Sequence, residues 1–186
     1  MVSTRKKTTD KIKAGLLDML GKAPIDEITA TDLCKHIKLN RATFYYHYNS
    51  VQDVLSEIEH EVENEFAQFL AQSTTTEDGT PEKNFYVTFF EFVARNAALC
   101  KMLLGAKTRS EFLQHAMEAG RTKVMSVMSK QFPNCPAAKI DRYYIFVSNG
   151  FLGLLEHWFS SGMSESINDL AEVGEQVSFF GIKYLQ

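Results

Sequence analysis

Apolar residues recur at a spacing of three to four along nearly the whole chain, and few residues interrupt that rhythm. There are four prolines, Pro24, Pro81, Pro133 and Pro136, and no turn dipeptide joins two alternating runs. Asp78-Gly79 comes nearest, but it lies inside a polar stretch from Ser73 to Pro81. The pattern therefore predicts an all-α chain of about nine helices. With 186 residues, 45% of them hydrophobic and 14 of them Phe, there is enough apolar material for a sizeable core, which excludes intrinsic disorder. The length fits one domain, or a small one joined to a larger one.

Start and stop signals divide the chain unevenly. A first helix, about Thr9 to Leu20, sets Ile12, Leu16, Leu17 and Leu20 on one stripe and is ended by Gly21 and Pro24. A second opens at Thr29, with Asp32 three residues on and Ile28 before it, a relative of the capping box with its apolar staple. It runs only to about His36. A third opens at Asn40, a good N-cap, and reaches about Tyr46. The fourth starts at Ser50 with Asp53 three residues on, and its stripe runs from Val51 through Val54, Ile58 and Val62 to Leu70. Longer helices follow, marked by Phe85/Phe89/Phe92, Leu99/Met102/Leu103, Phe112/Met117/Val124/Met128, Ile140/Phe151/Trp158 and Leu170/Phe180/Tyr184.

Several classes fall away. No run approaches the ~18 apolar residues of a membrane-spanning helix, so no membrane role is expected. Cys34, Cys100 and Cys135 are odd in number and widely spaced, which gives neither a disulfide framework nor a zinc pattern. A reducing cytoplasm is the expected location. His60, His115 and His157 stand alone, so no metal is expected, and no cofactor motif is present. There is no phosphate-binding glycine loop, no carboxylate pair beside a histidine and no nucleophile motif, so the chain is not expected to be an enzyme. The alternating Glu57, Glu59, Glu61, Glu63 and Glu65 read as a solvated helix surface.

Taken whole, the formal charge of -3 argues against nucleic acid. The two ends differ, however. Residues 1–50 hold nine Lys/Arg against five Asp/Glu, a net of +4, while residues 51–186 hold eleven against eighteen, a net of -7. The basic end contains the informative segment, Thr29 to Tyr48. Two helices of about two turns joined by Ile37-Lys38-Leu39 have the size of a helix-turn-helix. On the second, Arg41, Thr43, Tyr45, Tyr46 and His47 all carry hydrogen-bonding tips, and only Phe44 is large and purely apolar. A short helix this rich in polar-tipped rings fills a core poorly. It suits a major groove about 12 Å wide, where Arg reads guanine, a Thr methyl meets thymine, and Tyr and His reach phosphates.

Residues 8–55, above all Asn40-Arg41-Ala42-Thr43-Phe44-Tyr45-Tyr46-His47-Tyr48 with the following Asp53-Val54-Leu55, closely resemble the DNA-binding domain of the tetracycline-repressor (TetR) family. The resemblance implies a three-helix DNA-binding domain over residues 1–50 and a ligand-binding and dimerising bundle over 51–186. It implies that Arg41 and Thr43 face base edges and that Tyr45, Tyr46 and His47 hold phosphates or flanking bases. Thr29 and Thr31 would offer hydroxyls and helix-start amides to a phosphate, and Leu33, Cys34, Ile37 and Phe44 would form a small core. Two positions depart from the family pattern. Lys38 stands where the turn commonly has Gly, which implies a left-handed non-Gly residue. Val51 stands where a Lys is frequent, so that phosphate contact passes to Lys38, Lys35 or the arm Arg5-Lys6-Lys7.

The larger half concentrates Phe and Met. The bland reading is a bundle core; the functional one is an apolar pocket with adaptable walls. Its expected lining is Phe85, Phe89, Met102, Phe112, His115 and Tyr143, with Tyr86, Asn96, Arg121 and Asn149 as further polar candidates, and its expected guest is a small apolar or amphipathic effector. Gly150 and Gly153 interrupt a strong helical stripe at a cost of up to about 1 kcal/mol each, which suggests close approach of a partner helix. Gly150, Phe151, Leu155 and Trp158 with Val177, Phe180 and Tyr184 would then form a homodimer surface. The function expected from all this is a homodimeric, ligand-responsive repressor on a palindromic DNA operator. The alternative is a DNA-binding regulator whose larger half docks a protein partner.

Overall fold

The short N-terminal helices begin where their capping side chains say they should. The Thr29 hydroxyl accepts from the Asp32 amide, the Asn40 side chain from the Ala42 amide, and the Ser50 hydroxyl from the Asp53 amide. Asp53 returns the favour by accepting from the Asn49 amide at 3.0 Å. The computed structural model describes residues 2–75, 82, 84–105 and 111–185, with side chains from residue 5 onward. Asp78-Gly79 and Pro81 lie outside the described residues.

Among the described residues there are nine α-helices: α1 (Val2–Leu20), α2 (Ala30–His36), α3 (Arg41–His47), α4 (Val51–Gln72), α5 (Asn84–Arg95), α6 (Ala97–Gly105), α7 (Glu111–Gln131), α8 (Ala137–Ser160) and α9 (Ile167–Ile182). A single 3-10 turn, Ile25–Glu27, leads into α2. The start of α1 differs from the expected Thr9. Thr9 does not cap; its hydroxyl donates to the Lys6 carbonyl at 2.9 Å, as in a helix interior, and the helix continues back to Val2. Lys38 has φ 50, the left-handed backbone anticipated for the turn between α2 and α3.

Helix α1 packs on α2, α4 and α6, and α2 on α3. Helix α7 lies between α4 and α8, and α9 lies on α5 and α8. Helix α4 is the shared element. Its 22 residues span roughly 33 Å; Val51, Val54 and Ile58 enter the core of the first three helices, and Val62, Phe66 and Leu70 face the larger half. One buried cluster runs from Ile12, Leu16, Leu33 and Phe44 through α4 to Phe90 and Trp158. A second, with Met128, Ile140, Tyr143, Ile182 and Leu185, closes the far end of α7, α8 and α9. At two glycines a facing side chain lies directly on the helix backbone. A Cβ on Gly15 would collide with Ile37 Cγ2, and one on Gly174 would stand 2.8 Å from the Tyr86 ring and 3.0 Å from Phe151.

Candidate nucleic-acid interface and effector cavity

Helix α3 is held from below by one side chain. Phe44 is 0% exposed and meets Tyr48 and the edge of Tyr45, while Leu33, Cys34 and Ile37 complete the small core around it. This anchor turns the neighbouring positions outward. Tyr45 is 49% exposed and Tyr46 75% exposed. Arg41 is exposed too, its guanidinium 5.9 Å from the Tyr45 ring centroid. Packing inside the protomer therefore does not explain these two tyrosines. Thr43, Thr31 and His47 are half-buried, and His47 presses its Nδ1 inward without a hydrogen-bond partner while its ring meets Tyr46 edge-on. Thr29 is exposed, but its hydroxyl both accepts from the Asp32 amide and donates to the Asp32 carboxylate, so its expected offer of a hydroxyl to phosphate is already taken. Lys35 and Lys38 are exposed beside it.

The cations of this end fall into two sets. Lys13 and Lys22 are paired, Lys13 with Glu57 at 2.6 Å and Glu61 at 2.7 Å, Lys22 with Asp18 at 2.7 Å. Burial pulls the Lys13 ammonium down, but its hydrogen bonds to Glu57 and Glu61 outweigh that and hold it above 10.5. The same contact lowers Glu57. Arg5, Lys6, Lys7, Lys11, Lys35, Lys38 and Arg41 are exposed and make no ion pair among the described residues. The acidic run on α4 is consequently more than a solvated surface. Glu57 and Glu61 bind α1, Glu65 meets Arg95 of α5 at 2.8 Å, and Glu63 meets His115 of α7 at 3.0 Å.

The larger half holds a partly open cavity of about 260 Å³ between α4, α5, α7 and α8, touched also by α6 and α9. Phe66, Phe85, Phe89, Phe92, Phe112 and Phe151 dominate its wall. Two of its tyrosine hydroxyls are taken up by main-chain carbonyls. Tyr143 donates to the Ser178 carbonyl and Tyr144 to the Met117 carbonyl, and burial pushes Tyr143 up to about 12. Burial likewise pushes the Cys100 thiol up to about 12, so it stays protonated.

Of the expected lining, Phe85, Phe89, Phe112 and Tyr143 meet at this cavity. Met102 does not; it packs against the main core on α6. His115 does not either, because it sits on the outer side of α7, drawn to Glu63. Asn96 and Arg121 are engaged elsewhere, with the Phe92 carbonyl and Asp141. Three residues expected on the dimer surface belong inside. Phe151 stacks on Tyr86 at a ring distance of 5.7 Å, Leu155 is buried, and the buried Trp158 donates its indole N–H to the Glu165 carbonyl. The open apolar face lies on the other side of α8. Phe146, 75% exposed, and Ile145 join Gly150 and Gly153, where a Cβ would point into open space. On α9, Val173, Val177, Phe180 and Tyr184 are exposed as well. Ile145, Phe146 and Val173 were missed from sequence, although a stripe at positions 173, 177, 180 and 184 has regular helical spacing.

Residues 80–178 match the family model described as the transcriptional regulator C-terminal region. No relative was found among curated proteins. Solved structures share the fold. A transcriptional regulator of the TerR/AcrR family from Aquifex aeolicus VF5 superimposes with a TM-score of 0.73 at 15% identity, covering 93% of this chain and 98% of that one. SmeT, the repressor of the Stenotrophomonas maltophilia multidrug efflux pump SmeDEF, gives 0.69 at 12% identity, covering 92% and 88%. A TetR transcriptional regulator from Streptococcus agalactiae 2603V gives 0.63 at 19% identity, covering 95% and 96%.

Proposed function

This chain belongs to the TetR family of transcriptional regulators, and from that premise we propose that it is a homodimeric repressor that leaves a palindromic operator when an effector fills its cavity. The observation that carries the reading is α3 itself: Arg41, Tyr45 and Tyr46 stand in solvent on a helix pinned by the fully buried Phe44. Arg41 and Thr43 read base edges, while Tyr45, Tyr46, Lys35 and Lys38 hold phosphates and fix the docking register. The face formed by Phe146, Gly150, Val177, Phe180 and Tyr184 is covered by a second copy, because an apolar patch of that extent is poorly left to water. Two α3 helices then meet successive major-groove faces about 34–36 Å apart.

Coupling runs through α4. An effector pressing on Phe66 and Leu70 moves a rigid rod whose other end holds Val51, Val54 and the Lys13 clamp. Binding shifts the equilibrium only so far as the effector prefers one spacing of the two reading helices over the other. A cavity of about 260 Å³ walled by phenylalanines suits a small molecule better than a docked protein, so the protein-partner alternative is set aside.

The test is a gel-shift and footprint on DNA upstream of the protein's own gene. Salt-sensitive, sequence-selective protection of a palindrome is expected. Replacing Arg41 and Tyr45 together with Ala is expected to weaken specific binding about 100-fold or more, at about 1–3 kcal/mol per contact, with melting temperature and sedimentation mass unchanged. Undiminished binding by that double variant would sink the reading.

A further inference from the structure

The cavity is long, and its chemistry is one-sided. Helix α7 lines it from Phe112 to Met128, more than four turns, or roughly 24 Å of helix. Among the described residues that line it, Lys123 is the one charged side chain, and none is a carboxylate. Lys123 is half-buried and donates from Nζ to the Ser73 carbonyl at 2.9 Å. It makes no ion pair among the described residues. An ammonium has three N–H donors, so this leaves donors to spare. Four of the lining hydroxyls are turned to main-chain carbonyls, Ser73 to Leu70, Tyr143 to Ser178, Tyr144 to Met117 and Ser148 to Ile145, while Thr74 and Thr75 line the cavity at the Lys123 end.

A cation beside an apolar chamber, with no counter-ion among the described residues, is an incomplete arrangement. One anionic group would balance it. A dianion would leave a surplus charge against phenylalanine walls. A cationic guest would face repulsion from Lys123. A guest with many polar groups would find few free donors. What the wall accepts is an extended hydrocarbon along Phe66, Phe85, Phe89 and Phe112, ending in a single negative head. Resting on the reading of this cavity as the effector site, we infer that the effector is a straight-chain amphipath with a monoanionic head of the carboxylate type, its head on Lys123 Nζ and its chain directed toward Phe112.

Calorimetric titration of the full chain with decanoate, decanol and decyltrimethylammonium, each below its aggregation limit, separates head from chain. Decanoate is expected to bind at least about tenfold more tightly than decanol, as a charge-assisted hydrogen bond requires, and the trimethylammonium least tightly. In Lys123→Met the decanoate advantage disappears while decanol affinity and melting temperature stay as they were. Equal binding of decanol and decanoate to the native protein overturns the inference. So does an unchanged decanoate affinity in Lys123→Met, and so does failure to bind decanoate by protein that still protects its operator. Operator binding is scored on the same samples. Its absence counts against the regulator reading alone and leaves the headgroup comparison readable.

Discussion

The reading module and the larger half are both built around phenylalanine, to opposite ends. In the module Phe44 is sealed by Leu33, Cys34, Tyr48 and its neighbours. In the larger half Phe85, Phe89, Phe112 and Phe151 stand around a space of about 260 Å³ that they do not fill. Aromatic content therefore says little by itself. In one place it makes a rigid mount that forces polar rings outward, and in the other a wall with room for a guest.

The sharpest way to break this comparison is to make the same substitution in both places. Phe44→Ala is expected to cost about 3–5 kcal/mol, because the sealed site cannot collapse. Phe112→Ala should cost well under half as much, since part of its ring already borders empty space. Urea unfolding of the two variants gives the difference, and equal losses would mean that the cavity wall is as tightly packed as the module. Adding atoms tests the same point from the other side. Gly15→Ala pushes a methyl into Ile37 between α1 and α2, and a loss of about 1–3 kcal/mol is expected. Gly150→Ala meets nothing inside the protomer and should be neutral or gain up to about 1 kcal/mol in protomer stability. A reversed order, read from thermal melts at concentrations that keep the chain monomeric, would contradict the close approach of α1 and α2.

The smallest effect concerns the clamp between module and rod. Glu57 is lowered by its hydrogen bond to Lys13, so its contribution is complete above the ordinary 4.5 and is lost as pH falls through the lower folded value. Lys13 is raised, so its contribution is complete below 10.5 and is lost as pH climbs through the higher folded value. Lys13→Met should flatten both limbs of a stability–pH curve. The carboxylate ends of the clamp are exposed, so each limb changes by no more than about 1 kcal/mol. Limbs unchanged in Lys13→Met would place the titrating groups elsewhere.

The elements that could be read from sequence are those with local causes. Thr29, Asn40 and Ser50 announce α2, α3 and α4 because a cap is a contact between near neighbours. The polar tips of α3 stood out because they contradict a core. What could not be read depends on which side of a helix faces what. Helix α8 is apolar on two sides, and spacing alone does not tell that Phe151, Leu155 and Trp158 turn inward while Phe146 turns out. His115 is drawn to Glu63 of α4, more than fifty positions earlier, and no local pattern reports such a partner. Thr9 reads as a helix start from its neighbours, yet the helix passes straight through it.

Helix α4 has a consequence for how such chains can be recombined. Its first turns belong to the core around Phe44 and its last turns to the cavity wall, so no peptide bond between them separates two self-sufficient units. An exchange of DNA-reading modules between related chains that cuts at the loop before Ser50 transplants Phe44 and Tyr48 without Val51, Val54 and Ile58, which belong to the same buried cluster. A viable crossover has to fall inside the rod, beyond Glu61, where the graft carries its own acidic anchor for Lys13 and leaves the recipient its own wall.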